Sequence, residues 1–219
     1  MGDSTGALEN GDSDHTSSDV LDIYPLSCYY FGSKESVSLK NESDADRLLR
    51  LTASYEAHGM RNCVAAVIVV ELFKHPHLLV LQVQNSFYTL PGGRLRPGES
   101  DIDCLKRKLL NKLSAGEDGR GPEWEVGDCL GIWWRPDFDA PLHPYLPPNI
   151  NKPKECTKLF LVKLPPSRRF IVPKKFRILA VPLCELHDNE QTYGQTISGV
   201  PQLMSKFSFN FVEPNAASI

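Results

Sequence analysis

Glu99, Asp101 and Asp103 stand within five residues of one another, directly after a Pro-Gly turn. Clustered carboxylates are what a hard divalent cation needs, and such a cation neutralises a pyrophosphate and activates water. The residues that follow oppose that chemistry. Between Cys104 and Ala115 the chain carries Lys106, Arg107, Lys108 and Lys112 and no acid. Ammonium groups offer no ligand oxygens and repel a metal ion. Trp133-Trp134 is a different signal. Paired aromatic rings can stack on the bases of single-stranded nucleic acid, but alternation along a strand buries one of the two, which favours packing.

Local signals place these groups on elements. Pro91-Gly92-Gly93 closes a strand with a tight turn, where the two glycines allow backbone angles that other residues resist. Pro97-Gly98 is a second turn. Ser100 with Asp103 reads as an N-cap with its capping-box partner. Ile102, Leu105, Leu109, Leu110 and Leu113 then mark one face of a helix. Ser43 opens an earlier helix to about Ala57, with Asp46 as its cap partner and Gly59 as its stop. Leu48, Leu51 and Tyr55 are its expected buried face. Arg47 and Arg50 lie to one side, where a solvated cation is the ordinary reading.

Val64–Val70 reads as a fully buried central strand. Leu78–Val83 is expected as its hairpin partner across a His75-Pro76-His77 turn with exposed histidines. Phe87–Leu90, Thr157–Leu164 and Arg177–Leu186 are further strands. Pro201 starts the last helix, with Leu203, Met204 and Phe207 apolar. Val20–Leu26 is expected as an extended segment on the domain edge, since Pro25 disfavours a central strand. Gly116–Pro122 is a loop. Pro136, Pro141, Pro144, Pro147, Pro148 and Pro153 make the stretch after Trp134 a long looped excursion, and such loops often carry function. Strand, hairpin, loop and helix in this order predict an α/β/α sandwich with a mixed sheet.

Composition sets the outer limits. A chain of 219 residues with 41% hydrophobic content suits one compact domain with a disordered end. Residues 1–19 are Ser-, Asp- and Gly-rich with no Lys or Arg, an acidic tail too polar to offset its ordering entropy. Residues 20–60 read as an N-terminal extension with a helix, 61–212 as the main domain, and 213–219 as a flexible C-terminus. A net charge of −3 shows no global basicity, so any RNA site must be local. The six cysteines form no C-x-x-C pair, and Cys63 and Cys184 in apolar runs are expected as buried thiols. No apolar run is long enough to span a membrane, and no secretion or basic nuclear signal stands out.

The stretch from Phe87 resembles the Nudix box of nucleoside-diphosphate hydrolases. Gly93, Glu99 and Arg107 keep the box spacing, and Leu109 holds its first aliphatic position. The Glu that follows the Arg in the family is Lys108 here, the Glu pair is Asn111-Lys112, and the later Gly is Ser114. The resemblance implies a Nudix-type α/β/α sandwich, and the departures imply that hydrolysis, metal and cofactor are lost.

A closer resemblance runs over about residues 20–212. Ile23-Tyr24-Pro25-Leu26 with Phe31-Gly32, Gly59-Met60-Arg61, Leu90-Pro91-Gly92-Gly93, Trp133-Trp134-Arg135-Pro136, Lys152-Pro153-Lys154-Glu155 and Pro201-Gln202-Leu203 together resemble the 25-kilodalton Nudix-type subunit of pre-mRNA cleavage factor I. That family implies a catalytically silent nuclear protein that binds UGUA elements in single-stranded RNA upstream of poly(A) sites. It implies a homodimer joined to a larger subunit with an RNA-recognition domain. Its RNA site maps onto Arg47, Ser86, Phe87, Tyr88, Leu90, Tyr193 and Gly194. Phe87 would be the stacking platform, with core packing as its alternative. The backbones of Tyr88 and Leu90 would offer strand-edge groups, and the Arg47 fork suits a guanine edge. Two glutamates of the family site are Ala65 and Leu39 here, with Glu42 as a nearby substitute for the second. Two alternatives stand beside this reading. One is an active hydrolase using Glu99 with Asp101 or Asp103. The other is an assembly scaffold using the proline-rich loop and Tyr145.

Overall fold

The computed structural model describes residues 19–36, 43–83, 87–114 and 123–213. The acidic tail to residue 18, Leu39, Glu42, Ser86, the Gly116–Pro122 loop and the last six residues lie outside this range. In chain order the strands are β1 (Asp19–Ile23), β2 (Tyr30–Lys34), β3 (Arg61–Val67), β4 (Val69–Leu72), β5 (His75–Val83), β6 (Phe87–Thr89), β7 (Gly92–Arg94), β8 (Glu125–Arg135), β9 (Glu155–Lys163), β10 (Arg169–Pro173), β11 (Phe176–Pro182) and β12 (Phe207–Phe211). The helices are α1 (Asp44–His58), α2 (Asp101–Leu113) and four short ones: α3 (Leu183–Leu186), α4 (Glu190–Tyr193), α5 (Gln195–Ser198) and α6 (Val200–Met204).

Side-chain alternation builds two cores. Ala65 and Val67 of β3 enter one apolar cluster, and Val64 and Ala66 enter the other. Leu78 and Val80 of β5 part from Leu79 and Leu81 in the same way, as do Leu159 and Leu161 of β9 from Phe160 and Val162. Strands apolar on both faces need a cover on each. α2 covers one side with Cys104, Leu105, Leu109 and Leu113, all fully buried. α3 to α6 cover the other with Leu186, Tyr193, Ile197, Val200 and Met204. The expected α/β/α sandwich is therefore the fold adopted. One sheet runs β7-β3-β9-β8, with β3 and β9 parallel and the other pairs antiparallel. The second runs β11-β5-β4, with β6 also against β5. β1 pairs with β12 and β2 with β10, both in parallel, so the N-terminal segment is laced into the domain. Phe170 is fully buried there, stacked on Phe31 at 5.2 Å and edge-on to Tyr29 at 5.7 Å.

Several expectations are corrected. Val64–Val70 is buried throughout but is not one strand. It divides at Ile68, so β3 serves one sheet and β4 the other, and the Ile68 carbonyl accepts from the Leu79 amide at 2.9 Å. The hairpin turn is Phe73-Lys74, with φ of 54° and 61°, and not His75-Pro76-His77. Two left-handed residues suit the twist of an antiparallel pair, and the Glu71 carboxylate fastens the turn by accepting from the Lys74 amide at 2.6 Å. His75-Pro76-His77 begins β5, with His77 buried and its Nδ1 2.9 Å from the His75 carbonyl. Arg177–Leu186 is strand only to Pro182, because a residue without an amide proton cannot carry the ladder on. The last helix holds Pro201 in its first turn as expected, but it ends at Met204, and Phe207 belongs to strand β12. Ile102 and Leu110 of α2 are exposed: Leu110 lies a hundred degrees round from Leu109, and Ile102 sits in the first turn. Cys184 is exposed, whereas Cys63 is buried as expected. α1 has no buried residue, so Leu48, Leu51 and Tyr55 make no core face. It leans on the rim of a cleft instead.

The approach of β7 to β3 tolerates only glycine. A Cβ on Gly92 would sit 2.0 Å from the Val64 carbonyl oxygen and 2.7 Å from the Ala65 Cα. Gly92→Ala should therefore cost about 3 kcal/mol or more, as a drop in the urea midpoint. At Gly98 nothing lies within 4 Å of a new Cβ and only φ of +74° opposes it. Gly98→Ala should cost about 1–2 kcal/mol. Equal losses at the two sites would contradict the crowding argument.

Candidate nucleic-acid interface

A cleft of about 670 Å³ opens between β6, β7 and β3 on its floor and α1, α4, α5 and the proline-rich loop on its rim. Arg47, Phe87, Tyr88, Leu90, Tyr193 and Gly194 all line it. Six of the seven residues expected at the site are thus brought together, and the seventh, Ser86, lies outside the described residues.

Each is positioned for a local reason. β6 pairs with β5 through Leu81–Thr89, Gln82–Tyr88 and Val83–Phe87, and no strand joins its other edge among the described residues. Phe87 is 55% exposed, an uncommon state for a phenyl ring and the state a stacking platform requires. Tyr88 leans inward on the core and meets the Tyr193 ring at 4.7 Å. Tyr193 is buried, and its hydroxyl donates to Glu185, so its ring is held from both ends. Burial and Glu185 raise its pKa and keep that hydroxyl protonated. Gly194, at φ of 78°, ends α4 and starts α5 without a side chain in the way. Leu90 is buried, and its carbonyl accepts from the Thr89 hydroxyl at 3.2 Å. Ala65, where the resemblance implies a glutamate, lines the same cleft. That departure therefore falls within the site. Leu39 and Glu42 cannot be placed, since both lie outside the described residues.

The cleft is strongly cationic although the chain is not. Arg47, Arg50, Arg61, Arg94, Lys112, Arg135 and Lys154 line it, against one carboxylate, Glu155. Glu155 sits 3.4 Å from the Arg61 Nε and 3.9 Å from the Arg135 Nε, so it is shared by two of the seven. Such a lined concavity concentrates a positive field and attracts phosphate. Arg47 is expected at the site, and Lys112 is read from the sequence only as one cation of α2. The other five, from α1, β3, β7, β8 and the loop before β9, are brought together by the fold, and no local pattern links them.

α1 is tied to the cleft by polar and ring contacts. Arg94 Nη1 donates to the Ser54 hydroxyl at 3.1 Å. The Lys154 ammonium lies 4.3 Å from the Tyr55 ring centre and 5.4 Å from that of Phe138, and the two rings meet edge to face at 5.9 Å. Contacts of this kind are worth about 0.5–1 kcal/mol each at exposed sites. Removing the ring clamp with Tyr55→Ala and Lys154→Ala should speed amide exchange across 44–58 by about three- to tenfold and leave β3 unchanged.

The donor set of the Nudix-box region does not fit the divalent metal its resemblance implies. Both Glu99 oxygens are taken by the Arg107 guanidinium, Nε and Nη2 each at 2.6 Å, and the Arg96 amide adds a bond at 2.8 Å. The Asp101 carboxylate binds the Lys158 ammonium at 2.6 Å. The Asp103 carboxylate accepts at 2.6 Å from the Ser100 hydroxyl, the group that caps α2 by accepting from the Asp103 amide. No three His, Cys, Asp or Glu side chains converge among the described residues. The Arg107 fork, then the Arg96 amide, hold the Glu99 carboxyl down at about 2. A depressed carboxyl stabilises the fold above its unfolded value near 4.5 and loses that contribution as pH falls towards 2. Glu99→Gln should therefore melt below wild type at pH 7 and converge with it near pH 2. A gap in Tm that stays constant across that window would refute the linkage.

A family model described as a nucleotide hydrolase of the NUDIX_2 type matches residues 19–207. The pre-mRNA cleavage factor Im 25 kDa subunit 1 of Arabidopsis thaliana is 61% identical over 194 residues, 89% of this chain and 87% of that protein. Subunit 2 of the same organism is 49% identical over 195 residues, covering 89% and 98%. The cleavage and polyadenylation specificity factor subunit 5 of Dictyostelium discoideum is 43% identical over 194 residues, covering 88% and 96%. With a Nudix sandwich laced at both ends and relatives this near over most of its length, the chain belongs to the Nudix family, among the 25 kDa subunits of pre-mRNA cleavage factor Im.

Proposed function

We propose that the chain reads UGUA elements in single-stranded RNA for mRNA 3′-end processing and does not hydrolyse nucleotides. The observation that carries this is the exposed Phe87 ring in a cleft lined by seven cations and one carboxylate. A base can stack on the ring while arginines meet base edges and phosphates. Arg47 on α1 reaches the same cleft from the rim. Among the described residues no strand pairs with the outer edge of β6, whose backbone groups lie beside the ring. Loss of hydrolysis is supported by the engaged carboxylates at 99, 101 and 103 and by Lys108 and Lys112 on α2.

In this reading the protein works in the nucleus as a homodimer bound to a larger subunit with an RNA-recognition domain. The names of the relatives as subunits of a cleavage factor support assembly. Among the described residues no helix is long and apolar enough to cross a membrane. Tyr145, 62% exposed in the proline-rich loop, and Leu49, 69% exposed on α1, are apolar groups suited to a protein contact.

Fluorescence polarisation with UGUA and scrambled RNA tests the proposal. Wild type should prefer UGUA, and Phe87→Ala should lose about 1–3 kcal/mol of that binding. Equal affinity of wild type for both RNAs, with and without the larger subunit, would overturn it. Magnesium-dependent cleavage of a dinucleoside polyphosphate, abolished by Glu99→Gln, would overturn the non-hydrolytic half.

A further inference from the structure

Gln195 holds a hydrogen-bond acceptor that the fold leaves unused. Its side-chain Oε1 is buried and has no partner among the described residues. A carbonyl in that state has lost water without finding a substitute for it. The residue as a whole is only half-buried, and it lines the cleft next to Tyr193 and Gly194. Among the described residues that line the cleft, no other side chain has a buried polar atom in this condition.

The main chain around Gln195 is fixed. Gly194 starts α5, and its carbonyl accepts from the Ser198 amide at 3.1 Å. The Gln195 carbonyl accepts from the Gly199 amide at 3.0 Å. Gly199 is packed so closely on Trp133 that a Cβ there would fall 2.7 Å from the indole ring. Ile197 and Ser198 are buried, so α5 is anchored through its second half. The first side chain of α5 therefore stands on a rigid base, while its own carboxamide is tied to nothing through Oε1.

The surroundings decide what such a group can read. Seven cations line the cleft, and its one carboxylate, Glu155, is shared by Arg61 and Arg135. Arginine and lysine donate hydrogen bonds and accept none. They can meet the carbonyl oxygens of uracil and guanine. Adenine carries no carbonyl oxygen, and its amino group needs an acceptor. Gln195 is the one carboxamide among the described lining residues. A carboxamide accepts and donates in one plane, which matches the adenine amino group and the ring nitrogen beside it.

We propose that Gln195 is the adenine-reading residue of the cleft. Its carboxamide turns towards the ligand, Oε1 accepts from the adenine N6 amino group, and Nε2 donates to the neighbouring ring nitrogen. The carbonyl then has the partner it lacks in the free protein, and that difference favours the bound state. The assignment rests on the proposed reading of UGUA and extends it by naming the side chain that discriminates one of the bases.

The experiment crosses a protein change with a base change. Wild type and Gln195→Met are titrated with UGUA RNA and with the same RNA carrying purine riboside, which lacks the amino group, in place of adenosine. Methionine keeps the length of the side chain and removes both hydrogen-bonding groups. Wild type should bind the adenosine RNA about five- to tenfold more tightly than the purine RNA. Gln195→Met should bind the two alike, with a Tm no lower than wild type, since the carbonyl removed had no partner. A merely structural role would weaken both RNAs together and leave their ratio at the wild-type value, and that result overturns the proposal. Equal binding of the two RNAs by wild type, with UGUA still preferred to scrambled RNA, overturns it as well and leaves the base-reading function standing. Loss of that preference for UGUA defeats the function and this assignment together.

Discussion

The two-pronged bond between Arg107 and Glu99 holds the centre of this molecule. It joins the middle of α2 to the loop that leaves β7, and the Arg96 amide closes the same loop on the same carboxylate. α2 packs through Leu105, Leu109 and Leu113 on the sheet, so fixing the loop to α2 also fixes β7. β7 in turn lies against β3 at a distance that only Gly92 permits. The floor of the cleft is built from these two strands and β6. A paired carboxylate and guanidinium thus hold the scaffold at the spot where the box spacing resembles that of hydrolases.

The charges around that spot favour binding over metal chemistry. Asp101 and Asp103 are spent on Lys158 and on the helix cap. Lys112 presents the opposite sign of charge to the cleft, with Lys108 one turn earlier on α2. A protein with a net charge of −3 thereby presents a local basic surface in one concavity, and distributes its acids elsewhere. Steering of a polyanion depends on that local field more than on net charge.

The misread elements share one cause. Val64–Val70 is apolar along its whole length, and periodicity cannot say where such a run changes sheets. Phe73-Lys74 turns without glycine because Glu71 supplies a bond that a sequence pattern does not reveal. The apolar positions of α1 repeat at helical spacing, yet the helix leans on Lys154, Phe138 and Arg94 and buries nothing fully. A hydrophobic pattern states that a face exists, and the partner for that face is a matter of where other elements end. By contrast, both capping boxes, the full burial of Val64–Val70 and the burial of one Trp of a pair were legible, because caps and alternation are local.

By itself the sequence determined the helix starts at Ser43 and Ser100, the spacing of Gly93, Glu99 and Arg107, and the cationic character of α2. These follow from side-chain chemistry within a few residues. It also carried the family likeness that nominated Phe87, Tyr88, Tyr193 and Gly194. Only the tertiary structure decided that Arg50, Arg61, Arg94, Arg135 and Lys154 converge with Phe87 on one cleft, and that Lys112 lines it too. The reason is that convergence depends on distances between elements far apart in the chain. Those distances are set by how two sheets and their covering helices pack, and no window of sequence contains them.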